Sequence, residues 1–184
     1  IAQPQAIKDG EDGVAYERRT DACIECIERL PKPTVAVIEG WCVGGGLAIA
    51  TACDFRIAAK GSRLGVPIAK TLGNCLSMAN LARLCAAFGV QRVKRMLMLA
   101  EVIDASEAAA CGFLHQACEG GGGEVEAAAA ELCARLAALA PVTQRVVKEG
   151  LRRIGTQGLP DGEDLIRQGY GSGRTANHTD GDAW

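Results

Sequence analysis

The sequence predicts an α/β fold whose first half winds strands and helices together and whose second half is mainly helical. Three observations carry this. TVAVIEG (34–40) has the β-branched, apolar composition of a strand covered on both faces. It runs through Trp41, Cys42 and Val43 into three consecutive glycines, Gly44, Gly45 and Gly46, and then into the small-residue helix LAIATAC. A second strand, DFRIAA, follows, and beyond residue 103 helical patterns dominate.

Each element has a local cause. Residues 14–30 place Tyr16, Thr20, Cys23, Ile27 and Leu30 at spacings of four and three, which predicts an amphipathic helix stopped by Pro31 and Pro33. Glu17, Arg18, Arg19, Glu25, Glu28 and Arg29 are assigned to its solvated faces. SRLGVP is a short extended piece closed by Pro67, and KTLGN a polar loop. A helix is expected from about Ser77 to Phe88, with Leu81, Leu84, Cys85 and Phe88 on one face, Gly89 as C-cap, and Asn74 or Ser77 shaping its start. VQRVKRMLMLAE continues as a second helix. Asp104 and Glu107 have capping-box spacing ahead of a helix ending at Gly112. FLHQAC reads as a strand, GGGGE as a link into an alanine-rich helix, and Pro141 opens a helix reaching about Ile154. The tail from about residue 167 is polar and glycine-rich and is expected to be disordered.

Composition narrows the class of function. The 184 residues are 48% hydrophobic and 23% charged, as in ordinary globular domains. A net charge of −2 gives no reason to expect nucleic acid or an anionic membrane as partner. No apolar run approaches membrane-spanning length, and the first residues lack the features of a secretory signal. The nine cysteines lie mostly in apolar runs, which predicts reduced, buried thiols in a cytoplasmic protein. Cys23 and Cys26 form a C-x-x-C, but no second pair completes a metal site, so both are assigned to core packing.

The glycine run is the candidate site. A strand entering a helix through glycine leaves N–H groups unpaired, adds the positive end of the helix dipole, and lets a ligand reach the backbone. A phosphate or a carbonyl gathering negative charge would both fit. Ile49 stands where G-x-G-x-x-G needs its third glycine, no Lys-Ser/Thr follows, and no serine sits in the turn. Cys42 is a thiol in the turn, and neither His115 nor His178 is near it in sequence. Close helix–strand packing with no ligand is the plainer explanation of such glycines.

KPTVAVIEGWCVGGGLAIATACDFRIAA followed by LGVP closely resembles the enoyl-CoA hydratase/isomerase (crotonase) family. So do GVQRVKRMLMLAEVIDASEAAACGFL and APVTQRVVKEGLRRI, and the likeness covers about residues 15–166. The resemblance implies a spiral of ββα units over residues 1–103 with its earliest strands missing, a helical oligomerisation region over 104–166, and an atypical tail over 167–184. It implies a homotrimer or a hexamer of two trimers, an acyl-CoA thioester as substrate, and no separate cofactor or metal. The thioester oxygen would sit between two backbone N–H groups, one of them at Gly45. Trp41, Val43, Gly44, Pro67 and Ile68 fall at the substrate-binding positions.

Two departures accompany the resemblance. The glutamates that add water in hydratases fall at positions occupied here by Ala48 and Ile68, neither of which can move a proton. The opening IAQPQ resembles the segment just after the family's A-G-x-D motif, which would carry the other oxyanion donor. The expectations are therefore an acyl-CoA enzyme whose reaction is other than simple hydration, or a non-catalytic relative that keeps the fold for acyl-CoA binding or assembly. Of Lys8, Arg92, Lys94, Arg95, Lys148, Arg152 and Arg153, most read as solvated helix faces. Asp54 reads as structural and Glu39 as outward-facing.

Overall fold

The computed structural model describes residues 10–71, 75–157 and Asp164. Lys8, Asn74, His178 and the expected disordered tail lie outside them. Helix α1 spans Gly10–Glu28, with Glu11 and Asp12 in its first turn where the helix dipole favours negative charge. Ile24 is its buried residue, whereas Cys23 and Leu30 are exposed. The inward face is thus turned from the one that hydropathy alone suggests. The reason is electrostatic: Glu17, Asp21 and Glu28 point at polar partners on a later helix instead of at solvent.

The run TVAVIEG divides into two strands. Strand β1 covers Val35–Ile38, and Gly40, at φ +71°, redirects the chain into β2, Trp41–Val43. Helix α2 (Gly45–Ala52), strand β3 (Phe55–Ala59) and strand β4 (Arg63–Gly65) follow. β1 pairs with β3 in parallel, Val37 opposite Ile57, while β2 pairs with β4 in parallel, Cys42 opposite Leu64. Two consecutive strand pairs therefore repeat one path, each crossing from a first sheet to a second. The windings are stitched where Arg63 N–H donates to the Gly40 carbonyl (2.8 Å) and the fully buried Ser62 hydroxyl donates to the Ile38 carbonyl (3.1 Å).

Strand β1 lies at the sheet's edge and Val37 is 48% exposed, so coverage on both faces does not hold for it. Lys70 and Thr71 belong to a short helix, α3 (Ile68–Thr71), not to a loop. Helix α4 (Met78–Phe88) starts at Ser77, whose hydroxyl accepts from Asn80 N–H (3.1 Å), and ends at Gly89, φ +76°. Helix α5 (Val90–Met98) stops sooner than its pattern suggests. The chain turns through Ala100, at φ +53°, to make β5 (Val102–Asp104), which adds to β4 antiparallel.

Asp104 caps α6 (Ala105–Ala110) by accepting from Glu107 N–H at 2.8 Å. β6 (Gln116–Cys118) completes the first sheet in the order β1-β3-β6. Helices α7 (Gly123–Ala137) and α8 (Pro141–Gln157) follow. The main core gathers Leu47, Leu64, Met96 and Ile103 around stacked Phe88 and Phe113, their ring centroids 4.2 Å apart. A second core sets Val125 and Leu132 of α7 against Ile57. Among the described residues, no helix is long and apolar enough to cross a membrane.

Candidate functional site: the glycine turn and its cavity

Gly44 ends β2 at φ +54°, ψ −121°, a conformation that side chains rarely adopt. Its N–H donates to the Gly65 carbonyl (3.0 Å), pinning the turn to β4, and its carbonyl accepts from Ala48 N–H (3.1 Å) to start α2. The amides of Gly45, Gly46 and Leu47 precede the first intrahelical bond and find no backbone acceptor among the described residues. A methyl group added at Gly44 or Gly46 would meet nothing within 4 Å. Dense helix–strand packing therefore does not account for those two glycines. Conformation explains Gly44, and open space lies over the turn.

That space continues into a cavity of about 110 Å³. Gly44, Gly45, Ala48 and Ile68 all border it, four of the positions singled out in the sequence. Trp41, Val43 and Pro67 do not: Trp41 is 71% exposed, and the Pro67 carbonyl accepts from the amides of Lys70 and Thr71. Thr51 of α2, Val66 and Leu76 add to its lining, and the rest of the wall comes from α1 and α4. It includes Tyr16, Glu17 and Thr20 on one side and Asn80, Arg83 and Leu84 on the other.

This polar wall escaped the sequence reading. Arg83 grips Glu28 through two donors (2.7 and 3.0 Å) and reaches Asp21 and the Asn80 side-chain oxygen, each at 3.2 Å. Ser77 donates its hydroxyl to Asp21 (2.9 Å) and its backbone N–H to Glu17 (2.8 Å). The signal available in sequence is the recurrence of acids at 17, 21 and 28, which share one side of α1. Only the fold supplies the arginine that makes that side an interior one.

Behind α2, Arg56 holds the far end of the same helix. Its guanidinium donates to the carbonyls of Ala50 (3.2 Å), Cys53, Asp54 (3.3 Å) and Phe113 (2.6 Å). It also lies over the Phe113 ring, 4.6 Å from the centroid. Asp54 accepts from Thr34 N–H (2.7 Å), the Thr34 hydroxyl (2.8 Å) and Lys148 (2.7 Å), a clamp joining β1, β3 and α8. Glu39 is exposed.

Cys42, the thiol nearest the turn, is buried, which pushes its pKa up to about 11 and leaves it protonated at neutral pH. His115 meets the edge of Phe55 at 5.6 Å. Of the nine free cysteines, Cys42 and Cys118 are buried, and Cys23, Cys26, Cys75 and Cys133 are exposed. The expectation of buried thiols thus fails for most of them, and Cys23 and Cys26 are not core residues. Among the described residues, no set of three or more His, Cys, Asp or Glu side chains is placed to hold a metal ion. Several basic residues are paired rather than simply solvated: Arg92 and Arg95 with Glu107, Lys148 with Asp54, and Arg152 and Arg153 with Glu149.

Comparison with known proteins places these features in a group. A family model described as enoyl-CoA hydratase/isomerase matches residues 5–171. Human mitochondrial methylglutaconyl-CoA hydratase is 35% identical over 129 residues, covering 69% of this chain and 38% of that protein. The short-chain-enoyl-CoA hydratase of Clostridium acetobutylicum is 32% identical over 127 residues, covering 69% of this chain and 48% of that one. A crystal structure of an enoyl-CoA hydratase/carnithine racemase from Magnetospirillum magneticum superposes with a TM-score of 0.80 at 30% identity, covering 90% of this chain and 61% of that one. The chain thus spans about half or less of the length of these two curated relatives. With its parallel windings, its open glycine turn and a matching model over most of its length, the chain belongs to the enoyl-CoA hydratase/isomerase (crotonase) family.

Proposed function

We propose that the protein binds an acyl-CoA thioester at the glycine turn and acts on it by stabilising an enolate. One observation carries this reading: the Gly45 amide, free of a backbone acceptor, stands at the start of α2 on a cavity also bordered by Ala48 and Ile68. A thioester oxygen there gains negative charge as its α carbon loses a proton. An amide hydrogen and the helix dipole favour that charge more in the transition state than in the ground state. Ala48 and Ile68 leave the wall without the two carboxylates that add water, so the reaction proposed is not ordinary hydration. The substrate is the coenzyme A conjugate itself, and no separate cofactor is required.

Calorimetry with butyryl-CoA and crotonyl-CoA tests binding. Gly45→Pro tests the role of the amide, because proline at the first position of a helix removes the N–H while suiting the helix itself. Turnover should fall about 10²–10³-fold, as when a single oxyanion donor is lost. Unchanged turnover in a folded Gly45→Pro protein would overturn the mechanism. A second reading, a non-catalytic relative that keeps the fold for acyl-CoA binding or assembly, is favoured by Ala48 and Ile68. It gains if a panel of acyl-CoA thioesters binds and none is converted.

The helical region after residue 103 is proposed to assemble trimers or a hexamer. Val147, Leu151 and Ile154 on α8 support this, being 52%, 65% and 53% exposed. The free thiols support a reducing compartment such as the cytoplasm.

A further inference from the structure

We infer that Glu17 is the base that removes, and returns, the α proton of the bound thioester. The inference rests on the acyl-CoA reading above and adds the group that moves the proton. Among the described residues bordering the cavity, only Tyr16, Glu17 and Arg83 can titrate. A phenol and a guanidinium offer protons to donate, so of the three only the carboxylate supplies an oxygen base. The neighbouring acids Asp21 and Glu28 do not border the cavity, and both are engaged by Arg83.

Glu17 is also held for the task. Its Oε2 accepts from Ser77 N–H at 2.8 Å, tying α1 to the start of α4, while no hydrogen bond engages Oε1 among the described residues. A carboxylate fixed through one oxygen keeps the other for a substrate proton. In the proposed step, the α C–H bond breaks and its proton passes to Oε1. The electron pair moves into the C–C bond and raises the charge on the thioester oxygen beside the Gly45 amide. Return of the proton to carbon regenerates the carboxylate, so charge and atoms balance without an oxidant or a co-reactant.

One carboxylate suits this back-and-forth transfer, whereas the family's water addition uses two. The reaction class that a lone carboxylate serves here is α-proton exchange, and double-bond migration when an unsaturated chain lets the proton return elsewhere.

The test follows loss of the α-proton NMR signal of butyryl-CoA in D2O with the whole protein, alongside calorimetric affinity. The wild type is expected to bind and exchange. Glu17→Gln keeps an oxygen acceptor for Ser77 N–H, so it should bind equally and exchange about 10²-fold or more slowly, the usual worth of a general base. Glu17→Asp, which keeps a carboxylate, should exchange faster than the Gln variant. Wild-type binding without exchange, exchange undiminished in Glu17→Gln, or equal loss in Gln and Asp variants of normal affinity overturns the inference while sparing the binding reading. Absence of wild-type binding removes both.

Discussion

Replacing Arg56 by methionine should destabilise the protein and loosen the helix that carries the glycine turn. Methionine keeps most of the apolar stem and discards the donors. Four carbonyls, on Ala50, Cys53, Asp54 and Phe113, lose their guanidinium partner. A hydrogen bond to a charged donor contributes about 1.5–3 kcal/mol. The bonds to Cys53 and Phe113 are the close ones, so they alone set a scale of about 3–6 kcal/mol on that basis. Against this stands the cost of keeping the guanidinium away from water. Burial is the largest influence on Arg56 and lowers its pKa, and no carboxylate hydrogen-bonds to it among the described residues. Removing the charge recovers part of that cost.

A net loss of about 2–4 kcal/mol remains, which at about 2–4 °C per kcal/mol lowers the melting temperature by roughly 4–16 °C for a chain of this size. Arg56→Lys is the decisive companion. It restores a charge but not the planar fork, so it should recover only a minor share. Thermal melts by circular dichroism, with urea titrations as a second measure, read both variants. If Arg56→Met melts within a degree of the wild type, or Arg56→Lys matches the wild type, the guanidinium is not what holds the end of α2.

Two further outcomes are expected. Brief iodoacetamide treatment of the folded protein should label the exposed Cys23, Cys26, Cys75 and Cys133 and spare Cys42, whose thiol burial keeps protonated; peptide mass spectrometry showing Cys42 labelled as fast as these would refute the packing around the turn. The Arg152 side chain, with Arg153 beside it, holds the Glu149 carboxyl down to about 2 from its ordinary 4.5. A carboxyl lowered on folding stabilises the protein above its unfolded pKa and ceases to do so as pH falls through the folded one. The difference in melting temperature between wild type and Glu149→Gln should accordingly be full above pH 4.5 and vanish towards pH 2. A pH-independent difference would refute the pairing.

Much of the fold was written locally. Ser77, Gly89 and Asp104 announce helix ends through side-chain chemistry and backbone freedom that act within a few residues. The triple glycine likewise marks the candidate site, because a turn at φ +54° and a bare helix start are properties of the segment itself. The split of TVAVIEG into two strands was less legible. Gly40 and Glu39 look like a strand's end, but the strand that follows, Trp41–Val43, exists only because β4 lies beside it. Its three residues could not signal a strand alone.

The sequence by itself determined the family and the position of the turn, since each is a matter of residue identity in order. Tertiary structure alone decided which polar residues face the cavity. Glu17 and Arg83 are 66 positions apart, and Glu17 reads as solvated on its own helix. Hydropathy registers a charge but not its distant partner. Only when α1 and α4 come together do a carboxylate held by the Ser77 amide and an arginine held by Glu28 and Asp21 become the wall of a cavity.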